Sequence, residues 1–233
     1  MPSANAIGFI GLGVMGEPIC RNLVKKSGRP VVAFDLSKEP LERLRGDGAA
    51  VAPSVAEVFA QSEIVFYCLP SGKHVRALFE NKGGILDSVR AGQTVVDLGT
   101  SPVKLTREMT EKLEAKGARF ADAPIARTRE AAINGTLSVM VGGSAELFAE
   151  VEPLIRCFAS EVTHCGGTGA GQVTKILNNM VLFETVNALA EAAAIARRSG
   201  VEPKLLFETL SKGSADSFAL RNHGLKAMIP GVF

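Results

Sequence analysis

The stretch AIGFIGLGVMG, residues 6–16, decides the fold of this chain. A short apolar run ends in glycines spaced as Gly-x-Gly-x-x-Gly, and a helix-like segment follows. In this strand–turn–helix context the motif indicates dinucleotide binding, with glycines for a tight turn, close approach of a pyrophosphate and close helix packing. Because a helix N-terminus offers free N–H groups to phosphates, we predict cofactor contacts at Gly11, Leu12, Gly13, Val14, Met15 and Gly16. A glycine turn without a ligand is the alternative.

Asp35 ends the second predicted strand, residues 30–35. A carboxylate at this position can accept hydrogen bonds from the adenosine ribose of NAD, and it would repel the 2′-phosphate of NADP. No arginine follows immediately, although Lys38 is close enough to weaken this preference. The sequence therefore favours NAD, with NADP as the second candidate. It leaves open that Asp35 only caps a turn with Ser37.

Apolar strands alternate with helix-like segments over most of the chain. Such alternation predicts a mostly parallel sheet with helices on both faces. We predict an α/β fold with a Rossmann-type sheet domain over residues 1–164. Because no good strand appears after residue 162, we expect an all-helical domain over residues 165–233 that begins with a long interdomain helix. The predicted strands are residues 6–10, 30–35, 64–69, 94–98, 119–123 and 137–141, and the predicted helices include 14–26, 39–45, 103–116 and 145–158.

Two further strand ends, residues 68–71 and 97–102, carry small and hydroxylated side chains. In open α/β sheets, ligands lie outside the carboxyl ends of the strands. We therefore expect Leu69, Pro70 and Thr100 to border the nicotinamide end of the cofactor, although each loop alone could be only a connection.

The segment DAPIARTR, residues 122–129, also follows a strand. An arginine in such a loop can bind an anion through its planar guanidinium group, and a threonine hydroxyl can add a hydrogen bond. Arg127 and Thr128 are therefore candidate substrate ligands. The alternative is that Arg127 and Arg129 are solvated loop charges.

The segment GGTGAGQVTKILNN, residues 166–179, places Lys175, Asn178 and Asn179 on one face of a predicted helix. A cationic group beside two amides can hold a small polar substrate for proton transfer. A surface helix with a solvated lysine is the alternative.

Composition narrows the classes of partner. The chain has 233 residues, a net charge of +2 and no basic, aromatic-rich patch, so we expect no nucleic acid partner. Its four cysteines form no CxxC pair and its three histidines form no cluster, which predicts free thiols and no metal site. Without a secretory signal pattern or an apolar run of ~18 residues, we expect no membrane span and a cytoplasmic location.

Taken together, FIGLGVMG, DAPIARTREAAINGTL and GGTGAGQVTKILNN resemble, in order, the motifs of the β-hydroxyacid dehydrogenases. That family includes 3-hydroxyisobutyrate dehydrogenase and tartronate semialdehyde reductase, and it is related to 6-phosphogluconate dehydrogenase. The resemblance implies a homodimeric or homotetrameric NAD(P)-dependent oxidoreductase that interconverts a small acidic hydroxyacid and its semialdehyde. It further implies a catalytic Lys175, substrate contacts from Asn179 supported by Asn178, and a cofactor contact from Thr100. Lys175 would act as general base in oxidation and general acid in reduction, its pKa lowered by desolvation and by cationic nicotinamide.

The chain departs from the family pattern in two places. Ala126, Arg127 and Thr128 replace the usual Ser-Gly-Gly, an Arg-Thr variant similar to that of sulfolactaldehyde reductases, so Arg127 is expected to bind a sulfonate or carboxylate. Family members also continue beyond Phe233 with further helices, so we expect a helical domain that is incomplete relative to the family.

Three alternatives stay open. A 6-phosphogluconate-type oxidative decarboxylase would need a larger cationic pocket. An imine reductase fits less well, because such relatives commonly replace the lysine that this chain retains. A protein that only binds NAD, without catalysis, is the third.

Overall fold

The computed structural model describes residues 6–232 of the chain. Within this range the chain forms two compact units, the first ending at residue 175 and the second beginning at residue 176. Within the described part, the strands are β1 Ala6–Ile10, β2 Val31–Phe34, β3 Ala50–Val51, β4 Ser62–Tyr67, β5 Thr94–Asp97, β6 Arg119–Asp122, β7 Ile125–Ala126, β8 Leu137–Gly142 and β9 Ala159–Gly166. The α-helices are α1 Gly16–Lys26, α2 Lys38–Gly46, α3 Val55–Gln61, α4 Gly72–Glu80, α5 Ile85–Ser88, α6 Val103–Glu114, α7 Arg129–Asn134, α8 Ala145–Ile155, α9 Ala170–Arg198 and α10 Pro203–Leu210, followed by a π-helix, Leu220–Met228.

The first unit is built on one sheet with the strand order β3-β2-β1-β4-β5-β6-β8-β7, and β9 pairs with β8. The strands from β3 to β6 are all parallel, whereas β8 runs antiparallel to β6 and β7. The predicted α/β, Rossmann-type fold class is thus confirmed. The strand order reverses between β1 and β4, and ligands of such sheets bind in the crevice at this point.

Both faces of this sheet are covered, which explains its nearly continuous apolar strands. Successive side chains of a strand point to opposite faces. In β1, Ile7 and Phe9 join one buried cluster, while Ala6 and Ile10 join the cluster on the other face. Burying each large side chain contributes roughly 1.5–3 kcal/mol, so this alternation holds the strand ends rigidly in place.

The second unit has a small core of its own. Phe207 of α10 is fully buried against Leu189 of α9 and Leu220 of the π-helix. Gly224 allows this packing, because a methyl group there would lie 3.0 Å from the Phe207 ring. At the start of α10, the Glu202 carboxylate accepts the Leu205 N–H at 2.9 Å and caps the helix.

The expectation that no strand follows residue 162 is wrong, because β9 extends to Gly166. This strand pairs only with β8 within the described part of the chain, and most of its side chains are exposed and polar. An edge strand of this kind lacks the apolar signal used to find the others. The first helix also begins at Gly16, later than predicted, because residues 12–15 form the loop. Between residues 6 and 232, no helix is long and apolar enough to cross a membrane.

Candidate active site

The three glycines of the first loop have different surroundings. Gly11 has a φ of 91°, and a methyl group there would lie 2.5 Å from the Cys68 carbonyl oxygen. A methyl group on Gly16 would collide with the Gly11 carbonyl oxygen. At Gly13, by contrast, a methyl group would meet nothing within 4 Å. The loop is therefore closed on the protein side and open at Gly13, an arrangement that fits the close approach of a pyrophosphate.

Asp35 joins this loop to the end of β2. Its Oδ2 accepts the Leu12 backbone N–H at 2.5 Å, and its Oδ1 accepts the Ser37 N–H at 2.7 Å. The turn with Ser37, left open by the sequence, therefore exists alongside the contact with the glycine loop. Because the Leu12 side chain is buried in the core, only backbone atoms of Leu12 border the surface of the glycine loop. Asp35 holds the first turn of the glycine loop and remains partly exposed beside it.

A cavity of about 480 Å³ opens beside these residues. Arg129 lines it, although the sequence pattern indicates only a solvated loop charge for this residue. The position of Arg129 depends on how α7 packs against α1. Asn22 of α1 contributes to this packing, because its Nδ2 donates to the Ala132 carbonyl at 2.9 Å. No local sequence pattern therefore distinguishes Arg129 from Arg127. The lining also includes Gly13, Val14, Glu17, Asp35, Ser37, Arg21 and Arg43.

The other two cations of this cavity are already paired. Glu17 accepts hydrogen bonds from Arg21 at 2.9 Å and from Arg43 at 2.8 Å. Arg21 also donates to Asp47 at 2.6 Å. Hydrogen bonding to Arg43, followed by that to Arg21, lowers the pKa of Glu17. The charge of these guanidinium groups is therefore offset by carboxylates of the protein.

The loop after β5 is held by a buried acid. Asp97 accepts the Gly99 N–H through Oδ1 and the Ser101 hydroxyl through Oδ2, both at 2.7 Å. Burial raises the pKa of Asp97 to about 7, against the effect of these donors. Between the two buried residues, Thr100 is exposed. The predicted cofactor contact thus stands on a fixed loop with its side chain free.

Leu69, just after β4, packs against the loops that follow β1 and β5. The Leu69 side chain would lie 3.0 Å from a methyl group on Gly11, and its carbonyl oxygen 2.9 Å from one on Gly99. Pro70 follows on the exposed side. The structure therefore brings the three predicted cofactor segments of these strands to one edge of the sheet.

Asp122, at the end of β6, caps the start of α9. Its Oδ1 accepts the Gly169 N–H at 2.7 Å and its Oδ2 accepts the Gln172 N–H at 2.8 Å. Burial raises the pKa of Asp122, and the backbone donors oppose that rise. The helix that carries Lys175 is therefore attached to the sheet at its first turn.

The Gln172 side chain makes a second attachment that the sequence did not reveal. Gln172 is fully buried, its Nε2 donates to the Gly99 carbonyl at 2.9 Å, and its Oε1 accepts the Ser101 N–H at 2.9 Å. A glutamine in a helix is ordinarily a surface residue, so no sequence signal pointed to this role.

Lys175 is half-buried on α9, and burial lowers its pKa. No described residue forms an ion pair or side-chain hydrogen bond with its ammonium group. Asn178 and Asn179 follow on α9 within the second unit, where the Asn178 amide donates to the Asn179 Oδ1 at 3.3 Å. Partial burial without a counter-ion makes the Lys175 ammonium group easier to deprotonate than that of an exposed lysine.

Arg127 and Thr128 have local protein contacts. Arg127 has a φ of 85°, and its Nη1 donates to the Thr136 carbonyl at 2.6 Å and to the Ser160 hydroxyl at 3.0 Å. The Thr128 hydroxyl accepts the Ala131 N–H and caps α7. A positive φ is unusual for arginine, and it explains the glycine that the family pattern has at this place.

Comparisons with known proteins agree with this geometry. Residues 6–167 match the family model of the NAD-binding domain of 6-phosphogluconate dehydrogenase. Residues 169–233 match the model described as NAD-binding of NADP-dependent 3-hydroxyisobutyrate dehydrogenase. The fold and these matches define an NAD(P)-dependent dehydrogenase that acts on CH–OH groups.

Individual relatives are similar over the whole chain. Mitochondrial 3-hydroxyisobutyrate dehydrogenase of Mus musculus is 35% identical over 232 residues, which cover 100% of this chain and 68% of the relative. 2-(Hydroxymethyl)glutarate dehydrogenase of Eubacterium barkeri is 34% identical over 233 residues, which cover 100% of this chain and 77% of that relative. The solved structure of Mycobacterium tuberculosis 3-hydroxyisobutyrate dehydrogenase with L-serine has a TM-score of 0.86 and 31% identity, covering 96% of this chain and 75% of that one. The chain belongs to the β-hydroxyacid dehydrogenase family, and it is an NAD(P)-dependent hydroxyacid dehydrogenase.

Proposed function

We propose that the chain interconverts a small acidic β-hydroxyacid and its semialdehyde, with Lys175 as the general acid–base. In the oxidative direction, the hydroxyl-bearing carbon loses a hydride and the hydroxyl oxygen loses a proton. The C–O single bond becomes a carbonyl as these two bonds break. The relatives named above carry names of hydroxyacid dehydrogenases, which supports this class of substrate.

The cofactor is NAD or NADP, and we propose which residues hold it. The open face of Gly13 and the start of α1 would receive the pyrophosphate, with Asp35 at the adenosine ribose. Leu69, Pro70 and Thr100 would border the nicotinamide. A bound nicotinamide supplies the hydride acceptor or donor. The Asp35 carboxylate supports NAD over NADP, because it would repel a 2′-phosphate. Arg21 and Arg43 of the adjacent cavity are already paired with carboxylates, whereas Arg129 lines the same cavity.

The state of Lys175 is the observation that carries the acid–base proposal. An ordinary lysine, with a pKa of ~10.4, is a poor base at neutral pH. Burial without a counter-ion lowers the pKa of Lys175 and makes the neutral amine more accessible. In oxidation Nζ would take the hydroxyl proton, and in reduction it would return that proton to the carbonyl oxygen. Asn179, supported by Asn178, would orient the reacting group.

Lys175→Ala tests this role, with Lys116→Ala on an exposed loop as the matched control. A panel of C3–C4 semialdehydes and sulfolactaldehyde is assayed by NADH oxidation at saturating NADH. We expect Lys175→Ala to lose ~10²–10⁴ in kcat, with NADH binding retained by fluorescence titration and Lys116→Ala unchanged. Retained turnover in Lys175→Ala would exclude a general acid–base role for this lysine.

We also propose that Arg127 and Thr128 select an anionic substrate. The Nη1 atom of Arg127 is engaged with Thr136 and Ser160, while no described residue bonds its Nε or Nη2. A guanidinium group fixed at one nitrogen is oriented to offer the others to a carboxylate or sulfonate. An arginine held at positive φ is consistent with a functional constraint at this position.

The Arg127→Ala variant distinguishes this role from a structural one. We expect its KM to rise at least ~10-fold for charged aldehydes and to stay unchanged for an uncharged aldehyde. Ser160→Ala is the matched control, since it removes one local hydrogen bond and leaves the guanidinium group in place. An equal loss on charged and uncharged substrates would refute anion recognition by Arg127.

The same assays separate the alternatives. Turnover of 6-phosphogluconate with release of CO₂ would identify an oxidative decarboxylase. Tight NADH binding without turnover of any aldehyde would identify a binding protein.

We further propose a homodimer or homotetramer, supported by exposed apolar side chains on α9 such as Phe183 and Ile195. Sedimentation as a monomer at micromolar concentration would contradict that assembly.

A further inference from the structure

The Gln172 side-chain amide forms hydrogen bonds to the residues on both sides of Thr100, the predicted cofactor contact. One end donates to the Gly99 carbonyl and the other accepts the Ser101 N–H, each at 2.9 Å. These two bonds lie on either side of Thr100, whose side chain is exposed while its neighbours are buried. The helix side chain therefore fixes the backbone on both sides of Thr100.

Asp97 fixes the same loop from the strand. It accepts the Gly99 N–H and the Ser101 hydroxyl, both at 2.7 Å. Together with the bonds to Gln172, four hydrogen bonds hold the two residues that flank Thr100. Gly99 is also packed so closely that a methyl group there would lie 2.9 Å from the Leu69 carbonyl oxygen. The loop has little room to shift independently of α9.

The position of Gln172 on α9 couples this loop to Lys175. Residues three apart are neighbours on a helix surface, so the Gln172 and Lys175 side chains leave the helix next to each other. Asp122 fixes the same turn by accepting the Gln172 N–H at 2.8 Å. The first turn of α9 is therefore attached to β6 through its backbone and to the β5 loop through its Gln172 side chain.

We propose that Gln172 is a positioning residue that sets the Lys175 amine in register with the Thr100 loop. This inference rests on the proposed acid–base role of Lys175. Proton transfer to a substrate on the nicotinamide requires the amine and the cofactor loop to keep a fixed separation. A misplacement of about 1 Å can cost ~10²-fold in rate, so loss of the Gln172 bonds should act mainly on kcat.

Gln172→Met tests the proposal, because methionine has a similar length and forms neither bond. The matched control is Gln93→Met. Gln93 is also buried, and its Nε2 donates to the Phe59 and Ser62 carbonyls at 2.8 and 2.7 Å, before the start of β5 and away from its carboxyl end. Both variants lose a buried bridging amide, so both are expected to lower the urea midpoint of unfolding.

The readout is kcat at saturating NADH and substrate, measured where both variants are fully folded. We expect kcat to fall ~10–100-fold in Gln172→Met and to stay within ~3-fold in Gln93→Met. Equal kcat values for the two methionine variants would overturn the positioning role.

A double-mutant cycle separates this proposal from that for Lys175. If Gln172 acts through Lys175, adding Gln172→Met to Lys175→Ala should change the residual rate by less than ~3-fold. A further loss as large as that in the wild-type background would overturn the coupling. If Lys175→Ala is itself fully active, the proposed function fails. If Lys175→Ala is inactive while Gln172→Met is active, only the positioning inference fails.

Discussion

The Asp122 carboxylate accepts the backbone N–H of Gln172 at 2.8 Å, so an acid at a strand end caps the helix that carries the candidate catalytic lysine. The same carboxylate accepts the Gly169 N–H at 2.7 Å. Asp122 begins the segment that carries the candidate substrate ligands Arg127 and Thr128, but its own carboxylate is fully buried and bonds to the start of the helix. This residue therefore gives the site its geometry through protein contacts.

Removing the Asp122 carboxylate should destabilise the first unit. Asp122→Ala leaves two buried N–H groups without acceptors, and each such group costs about 1–3 kcal/mol. We expect the free energy of unfolding to fall by at least roughly 2 kcal/mol in urea titrations. Asp122→Asn, which keeps one acceptor oxygen, should lose less. Equal midpoints for Asp122→Ala and the wild type would contradict a capping role.

Asp97 should make stability depend on pH. Its pKa is raised in the folded chain to about 7, so the folded state binds a proton that the unfolded state releases near pH ~3.9. Stability from this group is complete at lower pH and is lost as pH rises towards 7. Relative to Asp97→Asn, the wild type should lose up to ~1.4 kcal/mol per pH unit across this window. Urea titrations from pH 5 to 8 measure the difference, and parallel curves would show that Asp97 titrates normally.

Alanine substitutions at Gly13 and Gly16 should affect different properties, cofactor binding in the first case and folding stability in the second. Gly13→Ala adds a methyl group to open space, so we expect an unchanged melting temperature and an NADH dissociation constant raised at least ~10-fold. In Gly16→Ala the methyl group would collide with the Gly11 carbonyl oxygen, which should lower the melting temperature strongly. Circular dichroism and NADH fluorescence distinguish these effects. Normal NADH affinity in Gly13→Ala would argue against a pyrophosphate at this position.

Asp35 should set the preference between the two cofactors. Asp35→Ser removes the negative charge beside the glycine loop, and we expect the ratio of kcat/KM for NADPH to that for NADH to rise at least ~10-fold. Glu114→Gln, at the exposed end of α6, removes an acid away from the cavity and should leave the ratio unchanged. An unchanged ratio in Asp35→Ser would mean that the carboxylate serves only its contacts with Leu12 and Ser37.

The sequence predicted those parts of the fold that have a strong local pattern. The six strands with apolar cores, β1, β2, β4, β5, β6 and β8, agree with the predicted ranges to within about two residues, because both faces of the sheet are buried and most positions are apolar. β9 was missed because its exposed residues Ser160, Glu161 and Thr163 lie on an edge strand with no apolar repeat. The two-residue strands β3 and β7 are too short to carry a pattern.

The contacts that organise the site depend on tertiary structure. Gln172 bonds to Gly99 and Ser101 from more than 70 positions along the chain, and no local rule assigns such partners to a helix glutamine. Lys175 is predicted as a site residue from its motif, whereas its partial burial follows from packing. Arg129 lies beside the cavity at the glycine loop only because α7 packs against α1.

The left-handed backbone at Arg127 has a consequence for the cost of the side chain placed there. Glycine adopts a φ of 85° freely, whereas arginine adopts it only with strain that other contacts must offset. The bonds from the guanidinium group to the Thr136 carbonyl and the Ser160 hydroxyl help to hold this conformation. The chain therefore gives up local stability to carry a charged side chain at a position where glycine would relax the loop.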